Sequence, residues 1–123
     1  MMDGHRRAVA VVDDDEAVRE SLRFLLETAG YDVTTYNSAC GFLSNPSATD
    51  AACLVVDQHM PRVTGLDLLS RLRERGAALP IALISGSLSP DLVSRAHELG
   101  AAVVLEKPLA DDALLNFVQA VSR

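Results

Sequence analysis

Four short apolar runs, each stopping at a charged or hydroxyl residue, set the pattern of the chain. Ala8 to Val12 runs into Asp13, Asp14 and Asp15; Ala51 to Val56 runs into Asp57; Ile81 to Ile84 runs into Ser85; Ala101 to Leu105 runs into Glu106 and Lys107. Runs this short and this continuously apolar suit strands buried on both faces of a parallel sheet. Tyr31 to Tyr36 alternates and is rich in β-branched and aromatic residues, which suits a further strand toward the sheet edge.

The stretches between the runs carry a helical period. Val18, Leu22, Leu25, Leu26 and Ala29 form one stripe opposite Arg19, Glu20, Arg23 and Glu27, and Gly30 stops it. Ser38 can cap a short second helix, expected to be the least stable because Gly41 in its first turns costs roughly 1 kcal/mol relative to alanine. Thr64 caps a third helix whose Leu66, Leu68, Leu69 and Leu72 face inward, with Asp67 and Arg71 spaced to pair and Gly76 ending it. Ser89, Pro90 and Asp91 supply the cap, first-turn proline and first-turn acid of a fourth, which runs to Gly100. Asp111 and Asp112 open a last helix that buries Leu114, Phe117, Val118 and Val121, while polar Asn45 to Asp50 is the nearest thing to a linker. Strands alternating with helices and joined by right-handed crossovers predict an α/β fold: a doubly wound, five-stranded parallel sheet in the flavodoxin-like order 2-1-3-4-5.

Composition narrows the picture. At 123 residues and 49% hydrophobic content, the chain suits a single domain over residues 1–123, with 1–7 read as a flexible tail. A net charge of −6 and a pI near 4.9, with arginines scattered along the chain, argue against a nucleic-acid or anionic membrane surface. Cys40 and Cys53 are too few for a disulfide framework, which suits a reducing cytoplasm. Arg6 and Arg7 precede only five apolar residues before the aspartates, so the start reads as neither a secretory signal nor a membrane anchor.

In open α/β sheets ligands bind at the carboxyl ends of the strands. That edge would gather Asp13, Asp14, Asp57, Ser85 and Lys107. Lys107 is the one lysine beside ten arginines, and a compact ammonium suits a point charge toward a phosphate or carboxylate. Two like charges ~4 Å apart at an effective dielectric of ~20 repel by ~4 kcal/mol, so clustered carboxylates need a cation or must hold a proton. Mg²⁺ is expected, because it takes oxygen ligands, accepts one or two carboxylates with retained waters and accompanies phosphoryl groups. Asp57 then becomes a candidate nucleophile toward a phosphoryl group, with Lys107 offsetting charge and Ser85 donating a hydrogen bond.

Four motifs carry a resemblance: Val11-Val12-Asp13-Asp14-Asp15-Glu16, Val55-Val56-Asp57-Gln58-His59-Met60-Pro61 with Gly65 following, Ile84-Ser85-Gly86, and Glu106-Lys107-Pro108. With them the chain resembles, over essentially its whole length, the receiver domain of bacterial two-component response regulators. It is most similar to receivers of the nitrogen-fixation regulator type, through Asp57-x-x-Met60-Pro61 and Ser21-Leu22. The resemblance implies phosphorylation of Asp57 by a sensor histidine kinase or phosphotransfer protein and Mg²⁺ held directly by Asp14 and Asp57. It also implies that the His59 backbone carbonyl completes the protein ligands and that Asp13 acts through water. Lys107 would pair with a phosphoryl oxygen, Ser85 would move toward the phosphoryl group, and Lys107-Pro108 would be cis. A homodimer on phosphorylation, through the fourth helix, fifth strand and fifth helix, belongs to the same implication.

Against the family pattern, Val104 stands where an aromatic switch residue is usual, and valine is stiff at χ1. A smaller packing change, or reorganisation of Gly86, Ser87, Leu88 and Ser89, would then report activation, and Ser87 with His59 would set the lifetime of the phosphoryl group. Blander readings stand beside these: Asp15 as a helix cap, Asp57 as a loop aspartate, Ser85 as a small residue before glycine, and His59 and His97 as solvated side chains. A haloacid-dehalogenase-type phosphohydrolase would instead use Asp13 as nucleophile and Asp15 as acid/base, with Ser85, Lys107 and Asp111-Asp112 nearby, in a chain that is short and offers no cap domain. A receiver-like interaction module that is never phosphorylated is a third reading. Flavin binding is the weakest, because Asp14, Asp15 and Glu16 would repel a cofactor phosphate.

Overall fold

Each apolar run becomes a strand, and each periodic stretch a helix. In the computed structural model, which describes residues 7–122, the strands are β1 Ala8–Val12, β2 Asp32–Tyr36, β3 Cys53–Asp57, β4 Ile81–Ser85 and β5 Val103–Glu106. The helices are α1 Glu16–Thr28, α2 Ala39–Ser44, α3 Gly65–Glu74, α4 Pro90–Glu98 and α5 Asp111–Val121. All pairings are parallel and the sheet order is β2-β1-β3-β4-β5, the doubly wound arrangement expected of the pattern. Of the tail assigned to residues 1–7, only Arg7 falls within the described residues; its Nη1 donates to the Gly30 carbonyl at 2.8 Å.

Strand alternation divides the core into two layers. Val9, Val11, Cys53, Val55, Ala82 and Ile84 face Leu22 and Leu26 of α1 and Leu114, Phe117 and Val118 of α5. Ala10, Val12, Leu54, Val56 and Leu83 face Phe42 of α2, Leu66, Leu69 and Leu72 of α3 and Ala96 of α4. Burial pushes the Cys53 thiol up to about 12, so it packs as a small hydrophobe. The central strands β1, β3 and β4 are buried almost throughout, whereas β5 is only half-buried, against the expectation of a fully buried run. It is an edge strand, with β4 as its one neighbour, just as β2 has only β1 at the opposite edge.

Caps place the helices as their sequences dictate. Asp15 caps α1 by accepting the Ala17 and Val18 N–H groups, Ser38 caps α2, and Ser89 caps α4 ahead of Pro90. Gly30, Gly76 and Gly100, all at positive φ, follow α1, α3 and α4 and end them. Three details differ from the sequence reading. Asp67 does not reach Arg71; its carboxylate accepts the Thr64 N–H at 3.1 Å and completes a capping box. Ala29 is exposed, as the C-cap of α1 rather than part of its inward stripe. Asn45 to Asp50 is no loose linker: it holds a single 3-10 turn, Ala48–Asp50, with Ala48 buried and Asn45 donating to the Tyr36 hydroxyl. The short α2 is anchored by Phe42, which meets Tyr36 edge-on with ring centroids 5.2 Å apart.

Arg73 of α3 ties the far end of the sheet. Its guanidinium donates to the carbonyls of Ala77 and Leu99 at 2.8 and 2.9 Å and to that of Gly100 at 2.9 Å, linking the turns after α3 and α4. Arg73→Ala is expected to cost about 2 kcal/mol, because several part-buried carbonyls lose a charged donor together. Arg73→Lys should recover only part, since an ammonium lacks the planar fork. Urea denaturation of the two variants checks this; equal stability of Arg73→Ala and wild type would contradict it.

Candidate functional site

The ends of four strands, β1, β3, β4 and β5, meet at the carboxyl edge of the sheet. Asp13 follows β1 directly, with its N–H bound to the Tyr36 carbonyl, and its own carbonyl accepts Arg19 Nη1 at 2.7 Å. Asp57 closes β3, Ser85 closes β4, and Lys107 follows β5 with its N–H on the Ser85 carbonyl at 2.9 Å. Asp13, Asp57 and Ser85 are the three buried polar or charged residues among those described, and all sit here. Asp14 is exposed.

One carboxylate oxygen each of Asp13, Asp14 and Asp57 lies within 4.8 Å of the others. Lys107 Nζ is 3.1 Å from Asp57 Oδ1 and 3.5 Å from Asp13 Oδ2. The shorter contact lacks the alignment of a hydrogen bond: Asp57 Oδ1 is fully buried and has no hydrogen-bond partner. Charge attraction to Lys107 holds the pair. An oxygen of this kind, beside two further carboxylates, is a donor set suited to a hard divalent cation.

Burial holds the Asp13 carboxyl above the ordinary carboxylate range; the Asp15 N–H opposes this, the Asp57 charge adds to it, and Lys107 opposes it. Burial alone would lower Lys107, but its contacts with Asp57 and Asp13 outweigh that and raise it. Both shifts make stability fall as pH rises, but in different pH windows. Lys107 stabilises the fold below the ordinary lysine range and loses that effect only as pH rises through its raised value. The folded protein holds the Asp13 proton more tightly than the unfolded chain does, so stability falls as pH climbs from the ordinary carboxylate range through the raised value. Asp13→Asn in metal-free buffer is therefore expected to flatten that decline. Thermal midpoints from about pH 4 to about pH 7 measure it, and an unchanged slope would count against it.

The loop after Asp57 is held from several sides. Gln58 N–H donates to the Ile84 carbonyl at 2.8 Å, and Gln58 Oε1 accepts the Leu66 N–H at 2.8 Å, joining the strand end to the first turn of α3. Arg62 sits at φ 70°, in the left-handed region, at the centre of a tight turn closed by Val63 N–H on the Pro61 carbonyl. Such a conformation costs a non-glycine residue on the order of 1–3 kcal/mol and persists because its surroundings enforce it. Gly65 is required for space: a Cβ there would meet Leu83 Cδ1 at 2.5 Å and the Asp57 carbonyl at 2.8 Å. The His59 carbonyl accepts no hydrogen bond among the described residues. Lys107-Pro108 is cis.

The sequence matches the model of the response regulator receiver domain over residues 9–119. The chain belongs to that family. It is 46% identical over 112 residues to the transcriptional regulatory protein FixJ of Azorhizobium caulinodans, covering 91% of this chain and 53% of that protein. It is 37% identical over 115 residues to FixJ of Bradyrhizobium diazoefficiens, covering 94% of this chain and 56% of the relative. Among solved structures, FixJ-N aligns with a TM-score of 0.85 at 33% identity, covering 99% of this chain and 95% of that one. The chain thus spans about half the length of the curated relatives it matches. It is a signalling receiver of the FixJ type, and no helix among the described residues is long and apolar enough to cross a membrane.

Within this receiver the residues singled out from sequence converge, with one reassignment among them. The His59 side chain, read as solvated, is exposed but places Nε2 3.1 Å from Ser85 Oγ. Asp15 spends its carboxylate on the α1 cap and is unsuited to be the acid/base partner a phosphohydrolase would need. Gly86 and Ser87 are exposed, and Ser87 meets the Ser85 hydroxyl through its backbone. Val104 is half-buried against the core layer of α3 and α4. Arg19 and Gln58 were missed as supports of the site, because the carbonyl and N–H they serve lie six and eight residues away, at no spacing that a helix or strand pattern marks.

Proposed function

We propose that this receiver accepts a phosphoryl group on Asp57 from a sensor histidine kinase or phosphotransfer protein, in a Mg²⁺-dependent reaction, and that the resulting rearrangement controls an output. The observation that carries the reading is the Asp57 carboxylate itself. It is buried at a strand end, has Oδ1 ion-paired with Lys107 but without a hydrogen bond, and lies beside two further acids. A structural aspartate in such a place would be hydrogen-bonded.

Asp14 and Asp57 would hold Mg²⁺ directly with the His59 carbonyl, and Asp13 would do so through water. Bound there, the ion supplies neutralisation of the carboxylates and of the phosphoryl oxygens. Asp57 forms an O–P bond as the donor's P–N bond breaks, and the released imidazole nitrogen takes up a proton. Lys107 Nζ, already 3.1 Å from Oδ1, offsets charge on the phosphoryl oxygens. Ser85 turns its hydroxyl from Ser87 to the phosphoryl group, and the loop of Gly86 and Ser87 moves with it. Stiff Val104 leaves this loop and local packing to report the change. The domain thus promotes only its own phosphorylation and dephosphorylation. A cytoplasmic location and a homodimer formed through α4, β5 and α5 belong to the same reading.

The test is intact-mass measurement after incubation with a small phosphodonor and Mg²⁺. One phosphoryl adduct per chain, lost when the ion is chelated beforehand, is expected. Absence of any adduct would overturn the reading, and repeated turnover of a phosphate monoester by catalytic amounts would point to a hydrolase.

A further inference from the structure

The Ser85 hydroxyl is wholly enclosed, and its hydrogen-bonding capacity is used up. Oγ lies 2.9 Å from the Ser87 carbonyl, 3.3 Å from the Ser87 N–H and 3.1 Å from His59 Nε2. A hydroxyl has one proton and two lone pairs. With the proton on the Ser87 carbonyl, the lone pairs face the Ser87 N–H and an Nε2–H donated by His59. His59 is the one side chain among the described residues that hydrogen-bonds this hydroxyl. It reaches it from the loop after β3, across 26 residues of sequence, with the rest of the ring in solvent.

We propose that His59 is a positioning residue that holds the Ser85 hydroxyl in its resting orientation and so opposes the rearrangement accompanying esterification of Asp57. The proposal rests on the phosphoacceptor reading and deepens it. To donate to a phosphoryl oxygen on Asp57, Ser85 must withdraw its proton from the Ser87 carbonyl and re-aim Oγ. The bond to His59 stabilises only the arrangement that has to be left, so it weights the equilibrium toward the unmodified state. A side chain merely packing the loop would have no such dependence on the Ser85 hydroxyl.

The experiment is a double-mutant cycle. Wild type, His59→Ala, Ser85→Ala and the double variant are held at steady state with acetyl phosphate and Mg²⁺, and the ratio of adduct to free protein is read by intact mass. His59→Ala is expected to raise that ratio about three- to tenfold in the wild-type background, the scale of one hydrogen bond. It should change the ratio less than about twofold once Ser85 is alanine, because the partner is gone. His59→Gln, which keeps a donor on a side chain of similar reach, is expected to fall between wild type and His59→Ala. The same fold-change in both backgrounds, or none in either, would overturn the role of His59 while leaving the phosphoacceptor reading intact. No adduct in wild type would remove that reading, and this proposal with it.

Discussion

Asp57→Asn is expected to leave the fold intact and to abolish phosphoryl uptake, with no adduct detectable by intact mass under conditions that modify wild type fully. The substitution changes little in volume, so the far-UV circular dichroism should not move. What it removes is the chemistry. An amide offers no anionic oxygen to attack phosphorus, and its nitrogen lone pair is delocalised into the carbonyl. It also removes one of the three acids that gather within 4.8 Å, so Mg²⁺ should bind more weakly as well. Asp13 and Asp14 remain as a built-in control, since each carries a carboxylate at the same edge. If the Asn variant still gained a phosphoryl group, the acceptor would have to be sought among them, and the assignment of Asp57 would fail.

Gly65→Ala should be the most damaging single methyl in the site. The new Cβ would come within 2.8 Å of the Asp57 carbonyl, 3.0 Å of Gln58 Cα and 2.5 Å of Leu83 Cδ1. Leu83 can adjust its side chain, but two of the three neighbours are backbone and cannot rotate away. Overpacking of this kind costs about 1–3 kcal/mol, and the backbone clash places this substitution near the top, about 3 kcal/mol. The strain falls on the residue that carries the nucleophile, so phosphoryl uptake should slow even where the variant is folded. Urea denaturation and the rate of adduct formation are the two measurements. A variant as stable and as fast as wild type would show that α3 can slide away from β3 freely, contrary to the ties through Gln58.

Much of this architecture was legible before any coordinates, for reasons that can be named. Continuous apolar runs of about five residues suit strands covered on both faces, and those runs located β1, β3 and β4. Cap chemistry is local, so Ser38, Thr64 and Ser89 located their helices from a few residues of context. The site was legible because a doubly wound sheet delivers the ends of its strands to one edge, which made Asp13, Asp57, Ser85 and Lys107 neighbours once the order was inferred. Local pairings were less secure. Asp67 sits at the spacing for a bond to Arg71, but it can also reach the Thr64 N–H, and the capping box is what forms. The half-burial of β5 was misjudged because its continuous apolar run was weighed above the edge position that the inferred strand order already gave it.

What the amino-acid sequence determined by itself is therefore the layout: the identity and order of the elements, the two apolar layers, and the set of acids, hydroxyl and ammonium at strand ends. These follow from periodicity, caps and composition, which act over a few residues at a time. Tertiary structure alone decided how those groups engage one another. It left Asp57 Oδ1 buried without a hydrogen bond 3.1 Å from Lys107. It also turned the His59 ring onto Ser85 and closed Arg73 over the turns after α3 and α4. Contacts between groups tens of residues apart depend on strand register and on side-chain orientation to within an ångström, and no local pattern carries that information.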